Sequence, residues 1–338
     1  MGLISPPSVG DVGSSSFTQK LIQCGIELAQ GTGTQPGNLT GMPGGTQISL
    51  SGSRTSVKIQ YAGGFAGSKA EVVIWGLSQS LMNTLQTLGI TVQQVKRNRL
   101  VVTAGDAVSG MSTAFIGDIV AAYGDYNSQP NVPIRFVCQA GAADAAIPVP
   151  TSSFTGAADI ITIMSSIAKL ASWGFVNNGI TPGQIVLSNP IFPGSAVEQA
   201  RRAADHANIS YALVPGSSTT QAYILAIWPR YGSRPTPGGI PLISKSTGMI
   251  GYPAYAEQGG INVKMLYNPQ IVFGGQINVQ SDIFTNQSLA ALKTPNSIWD
   301  IAKVDHSLDS LVPHGEWQTL VYAVVYNASQ PTLPPGSP

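Results

Sequence analysis

The stretch from Ala70 to Ile119 constrains this chain most, because it alternates β-type runs with glycine breaks and carries almost no reactive groups. Ala70-Glu-Val-Val-Ile-Trp75 is a β-type run, interrupted by Gly76-Leu77-Ser78. Ser78 is placed to cap a short helix whose apolar residues are Leu81, Met82, Leu85 and Leu88, and Gly89 ends it. Two further β runs follow, Leu100 to Ala104 and Met111 to Tyr123. A region rich in architecture and poor in chemistry points to a building block and away from an enzyme.

The rest of the chain divides by composition. Residues 1–16 are rich in Ser, Gly and Pro and read as an extended arm. From Phe17 to Ala29 the residues roughly alternate, which favours a strand over a helix. A turn-rich loop spans Gly31 to Gly45, and strands are expected over Gln47–Leu50 and Ser56–Tyr61. Val132 to Gln139 closes this first β region, with Pro130 and Pro133 suggesting an edge position. Short strands separated by glycine turns indicate a barrel or sandwich.

After Ala145 the pattern changes. Ile147-Pro-Val-Pro150 reads as a linker. Thr155 to Trp173 is expected to be a helix, with Ile160, Ile163, Met164, Ile167, Leu170 and Ala171 on one face. Ser195 and Glu198 form a capping-box pattern that opens a second helix running to about Asn208. Strands at Ile209–Leu213 and Ala222–Trp228 complete a small α+β module. Past the Pro/Gly-rich residues 229–242, a second β region carries strands at Ile261–Tyr267, Ile271–Gln280, Trp299–Asp305 and Glu316–Val325. The expected fold class is mainly β with an α+β insert: two β regions, 17–145 and 233–328, flank an α+β domain, 146–232. The arm (1–16) and a flexible tail (329–338) lie outside them.

A chain of 338 residues suggests two or three domains. Charged residues are 10%, against about 25% in an ordinary soluble domain, so subunit contacts are expected to cover much of the surface. The net charge of +1 lacks the basic excess of a protein that grips nucleic acid by its phosphates. The densest basic cluster, Lys96-Arg97-Asn98-Arg99, reads as a solvated turn. Cys24 and Cys138 lie in apolar runs and read as buried thiols, which leaves the redox compartment open. There is no charged n-region at the N-terminus and no apolar run of membrane-spanning length.

The chain shows no catalytic or metal-binding pattern. Asp305-His306-Ser307 has the composition of a triad, but on a strand successive side chains point to opposite faces. His206 fits an exposed or interfacial place on the alanine-rich helix. Gly239 to Ser246 approaches a phosphate-binding loop, but Ser244 stands where the second glycine belongs. No Cys/His spacing suggests zinc. The tryptophans are spread singly, which suits cores better than a sugar-binding platform. No catalytic, cofactor-binding or metal-binding residue is assigned, and no cofactor is expected.

Several motifs do align in order. They are Ala62-Gly-Gly64, Trp75-Gly-Leu-Ser78 with Thr87-Leu-Gly89, Asn98 to Asp106, Phe115 to Ile119, Gly248-Met-Ile-Gly-Tyr-Pro253, Asn268-Pro269 with Gly274-Gly275, and Val304 to Ser310. In this order the chain resembles the baseplate hub proteins of contractile-tailed bacteriophages. The resemblance implies that the two β regions are tail-tube-like β-barrel domains, and that three copies form a homotrimeric, pseudo-sixfold ring in the virion's tail baseplate, assembled in the host cytoplasm. It implies as partners a central spike protein, the tail tube or a tube-initiator protein, the tape-measure protein and baseplate wedge proteins. Genomic DNA would pass only in transit, and no membrane anchor is implied. The resemblance departs at the N-terminal arm and at an elongated loop from Asn286 to Ser297. Two other readings stay open: a glycan-binding or glycan-cleaving tail component, and the hub of a contractile injection or secretion machine.

Overall fold

The computed structural model describes residues 18–28, 47–63, 67–90, 97–216, 222–236, 238–256, 260–283 and 297–325. The expected arm over 1–16, the loop over 31–45, nearly all of the 286–297 loop and the tail over 329–338 lie outside the described residues. Strands of the first β region are β1 (Lys20–Glu27), β2 (Gln47–Ser51), β3 (Thr55–Ala62), β4 (Lys69–Ile74), β5 (Arg99–Asp106), β6 (Gly110–Gly124) and β7 (Ile134–Gln139). The middle region holds β8 (Ser152–Ser153), β9 (Ala157–Asp159), β10 (Gly174–Asn177), β11 (Val186–Ser188), β12 (Ile191–Phe192), β13 (Ile209–Pro215) and β14 (Tyr223–Pro229). The last region holds β15 (Leu242–Ile243), β16 (Ala254–Ala256), β17 (Gly260–Leu266), β18 (Gln276–Val279), β19 (Ile298–Ser310) and β20 (Trp317–Val325). Four α-helices are described: α1 (Gln79–Leu85), α2 (Ala142–Ala146), α3 (Ile160–Leu170) and α4 (Ala196–His206).

Period-two burial builds the strands. In β1, Ile22, Cys24 and Ile26 are buried while their neighbours are not, which selects strand over helix there. In β5, Leu100, Val102, Ala104 and Asp106 alternate with half-buried residues in the same way. The helix expected after Trp75 is α1, and Ser78 caps it by accepting a hydrogen bond from the Leu81 amide at 3.3 Å. Its Met82 and Leu85, with Leu88 just beyond, are buried in the first apolar core.

The mainly β architecture with an α+β insert is present, but the described strands form no closed barrel. Both β regions instead belong to one 13-stranded sheet. Its main path runs β16-β17-β20-β19-β3-β4-β7-β6-β5-β1-β2, and β18 and β15 extend from β19. The join is β19. Its first residues, Ile298 to Asp300, pair with β18, and Lys303 to Ser310 pair with β3 along the same edge. β20 runs along the other edge. A register shift between Ile301 and Lys303 marks where the strand passes from one partner to the next. At its far end the sheet curls back. Ser310 Oγ donates to the Lys20 carbonyl of β1 at 2.8 Å, so a side chain bridges strands that form no ladder.

Three large apolar cores follow from this, with a small fourth cluster of Ala212, Ala226 and Trp228. The first, under β1 to β7, contains Leu100, Phe115, Ile134 and Phe136, and β19 adds Leu308 to it. The third contains Ile261, Val263, Ile277 and Val321, and β19 adds Trp299, Ile301 and Val304. The second lies in the insert, where α3 and α4 pack on the sheet β10-β14-β13. The capping box is formed: the Glu198 amide donates to Ser195 Oγ at 3.3 Å, and the Ser195 amide donates to Glu198 Oε2 at 3.1 Å.

Some expectations need correction. β7 lies between β4 and β6, so it is an interior strand. Pro130 and Pro133 precede its first residue, Ile134, and take no amide from the ladder. The helix expected from Thr155 begins only at Ile160, because residues 157–159 pair with β11 instead. The linker expected at 147–150 follows α2, which no periodicity announced because it is only five residues long.

Leu308 is fully buried in the first core, whereas Leu320 on the adjacent β20 is 41% exposed. Leu308→Ala should cost about 2–5 kcal/mol, and Leu320→Ala less than about 1 kcal/mol. Urea denaturation of the two variants measures the difference.

Candidate functional site

The Asp305-His306-Ser307 sequence lies within β19, and the strand separates it. His306 is buried, while Asp305 and Ser307 sit on the other, half-buried face. Asp305 accepts from Lys303 Nζ at 2.8 Å and from Gln60 Nε2 at 3.3 Å, away from the imidazole. His306 Nδ1 lies 2.8 Å from Thr319 Oγ1, and its ring meets Tyr61 and Tyr267 edge-on at 5.9 and 5.2 Å. Burial pulls its pKa down to about 4, against a smaller upward effect of Asp305, so the ring is neutral near pH 7. The three residues are not brought together as a triad.

The other sequence candidates also resolve into structural roles. His206 Nδ1 lies 2.8 Å from the Arg202 carbonyl on α4, and its ring edge meets Phe192. Ser244 begins a single turn over 245–247, in which the Ser244 amide donates to Thr247 Oγ1 at 2.8 Å. Cys24 and Cys138 are free and buried, and burial pushes the Cys24 thiol up to about 12. No cluster of three or more metal-ligating side chains occurs among the described residues. The tryptophans lie apart. Trp173, Trp228 and Trp299 are in three different cores, Trp317 packs against a fourth, and Trp75 stacks under Arg54.

The Lys96–Arg99 segment, expected to be a solvated turn, instead contributes Arg97, Asn98 and Arg99 to a largely buried junction. Arg97 pairs with Asp144 of α2, and Trp173 Nε1 donates to the same carboxylate at 2.8 Å. Asn98 is buried and donates to the Leu88 carbonyl at 2.9 Å. Arg99 approaches Asp118 at 3.6 Å and lies over the Tyr223 ring. Asp118 accepts from the Ala143 amide at 2.9 Å and from the Tyr223 hydroxyl at 3.0 Å. Burial nonetheless raises its pKa, with the Asp144 charge adding to the rise. These contacts fasten the insert to the first β region through residues far apart in sequence. Lys96 lies outside the described residues. On the other side, Trp228 of the insert meets Phe273 of the last β region edge-on at 5.8 Å. Gly274 makes this contact fit. Its φ is +76°, and a Cβ there would come within 2.6 Å of the Trp228 ring.

What remains for function is surface. β16 ends the described sheet on one side and β2 on the other. Near β16, Ile250, Tyr252, Leu266 and Leu320 are exposed. Large apolar side chains beside an edge strand mark a place for protein contact.

Comparison with known proteins agrees with a structural role. Residues 41–293 match a family described as baseplate hub gp41. Among solved structures, the fold is similar to the E. coli c3393 protein, a type VI secretion component described as similar to phage T4 tail proteins gp27 and gp5. That match has a TM-score of 0.56 and 11% identity, and covers 92% of this chain and 80% of that one. A tail protein from Neisseria meningitidis MC58 matches with a TM-score of 0.54 and 8% identity, covering 89% and 96%. The 43 kDa tail protein of prophage MuSo2 from Shewanella oneidensis matches with a TM-score of 0.53 and 10% identity, covering 91% and 97%. No curated protein sequence matches the chain.

The buried His306 makes stability depend on pH. Its folded pKa of about 4 lies below the ordinary 6.5, so the unfolded chain takes up the proton first as pH falls. The stability from keeping the ring neutral is complete above pH 6.5 and is lost progressively down to about pH 4. The full loss is on the order of 3 kcal/mol. In urea denaturation at pH 7 and pH 4.5, wild type should lose more stability than His306→Gln. Carboxylate contributions, including the opposite slope from Asp118, cancel in that comparison.

Proposed function

This chain belongs to the baseplate hub gp41 family, and on that premise we propose that three copies form the ring that joins a contractile phage tail's tube to its central spike. The observation that carries this reading is the family match along residues 41–293, three quarters of the chain. In this reading the chain is a structural protein of the virion baseplate and not an enzyme. Its contacts are with its own copies, the spike, the tail tube or its initiator, the tape-measure protein and the wedge proteins, and assembly takes place in the host cytoplasm.

Three observations support the finer parts. The exposed Ile250, Tyr252, Leu266 and Leu320 beside β16 give a neighbouring copy an apolar surface to cover. A charge content of 10% and a net charge of +1 suit a channel that lets DNA pass, because each Lys/Arg–phosphate contact adds affinity that would retain it. Separate apolar cores support the division into 17–145, 146–232 and 233–328, with the shared β19 strand joining the outer two.

Similarity to a type VI secretion component favours a second reading, the equivalent hub of a contractile injection machine. Its genes would lie among secretion genes and not among those of a phage. The dispersed tryptophans count against a glycan-binding platform.

Mass photometry at micromolar concentration tests the ring. The proposal expects a species of three times the 35.1 kDa chain mass. Tyr252→Asp should shift the distribution to monomer while leaving the far-ultraviolet circular dichroism unchanged. A stable monomer that neither a tube nor a spike protein converts to a trimer would contradict the reading.

A further inference from the structure

A cavity of about 200 Å³ lies where the three regions of the chain meet. Tyr61 from β3, His306 from β19, Tyr267 and Phe273 from the last β region, and Leu213 from the insert line it. Thr113 and Pro269 are exposed at its mouth. At 10–15 Å³ for each water-sized position, the space holds roughly 13 to 20 of them, enough for a small one-ring molecule.

One cation faces this space. Arg234 lines the cavity and is half-buried, and its side chain has no hydrogen bond or ion pair among the described residues. No carboxylate is among the lining residues. The other polar groups near it are neutral. Tyr61 donates its hydroxyl proton to the Ala114 carbonyl, and burial holds its pKa above the ordinary value. The buried His306 is already bonded to Thr319. A half-buried guanidinium keeps only part of its hydration, and pairing with a planar carboxylate gives it two parallel hydrogen bonds. The walls beside it are aromatic and aliphatic.

We propose that this cavity binds a small organic monocarboxylate with a compact aromatic body, its carboxylate on Arg234 and its ring among Tyr61, Tyr267 and Phe273. Because the ligand touches all three regions, it acts as a clamp on their relative placement.

Benzoate and benzamide are the probes, since they share shape and differ in charge. Isothermal titration of the full chain should give benzoate an affinity about tenfold or more above that of benzamide, the yield of a charge-assisted contact. Arg234→Gln should abolish that preference, and Arg234→Lys should retain part of it. Equal binding of the two probes by the wild-type protein, or no binding of either, overturns the proposal whether or not the variants fold. The titration is repeated on the assembled protein. Retained benzoate binding supports the small-ligand site. Loss on assembly assigns Arg234 to a carboxylate of a neighbouring chain and overturns it.

Discussion

One strand, β19, holds the architecture together. A strand has two edges, and β19 uses both along nearly its whole length. β20 takes one edge, while β18 and then β3 share the other. Its buried side chains are divided in the same way, with Trp299, Ile301 and Val304 in one core and Leu308 in another. The two β regions are therefore halves of one sheet. A change in the register of β19 would turn its buried residues outward in both halves at once, since side chains alternate at every position.

The insert is fixed to this frame by different physics. Asp118 and Asp144 are buried carboxylates, and each would be costly without partners. Asp118 takes an amide and a tyrosine hydroxyl, and Asp144 takes Arg97 and the Trp173 indole. The insert thus meets the first β region through polar contacts with few alternative geometries. It meets the last region through shape, where Trp228 sits against Phe273 over Gly274. A tail hub needs regions that keep their relative positions, and these two junctions provide that constraint within the chain.

Local features were legible in the sequence because their causes are local. The Ser78 cap, the Ser195–Glu198 capping box and the alternation in β1 each depend on residues within a few positions. The strand geometry that separates Asp305 and Ser307 from His306 was readable for the same reason. Less was legible where the partner is distant. Nothing near Val304 indicates that it lies opposite Tyr61, and nothing near Arg97 indicates Asp144. The interior place of β7 was hidden because its prolines lie just outside the ladder, and α2 was too short to show a period. The Arg234 cavity was invisible for a related reason, since its walls come from all three regions.

The central claim is that β19 makes the two β regions one cooperative unit. Native-state hydrogen exchange of the amides from Ile298 to Ser310 tests it most directly. The account predicts that the hydrogen-bonded amides on both sides of the Ile301–Lys303 register shift exchange with the same free energy, equal to that of global unfolding. Protection that differs by several kcal/mol between the segment paired with β18 and the segment paired with β3 would contradict it, because the two regions would then open independently.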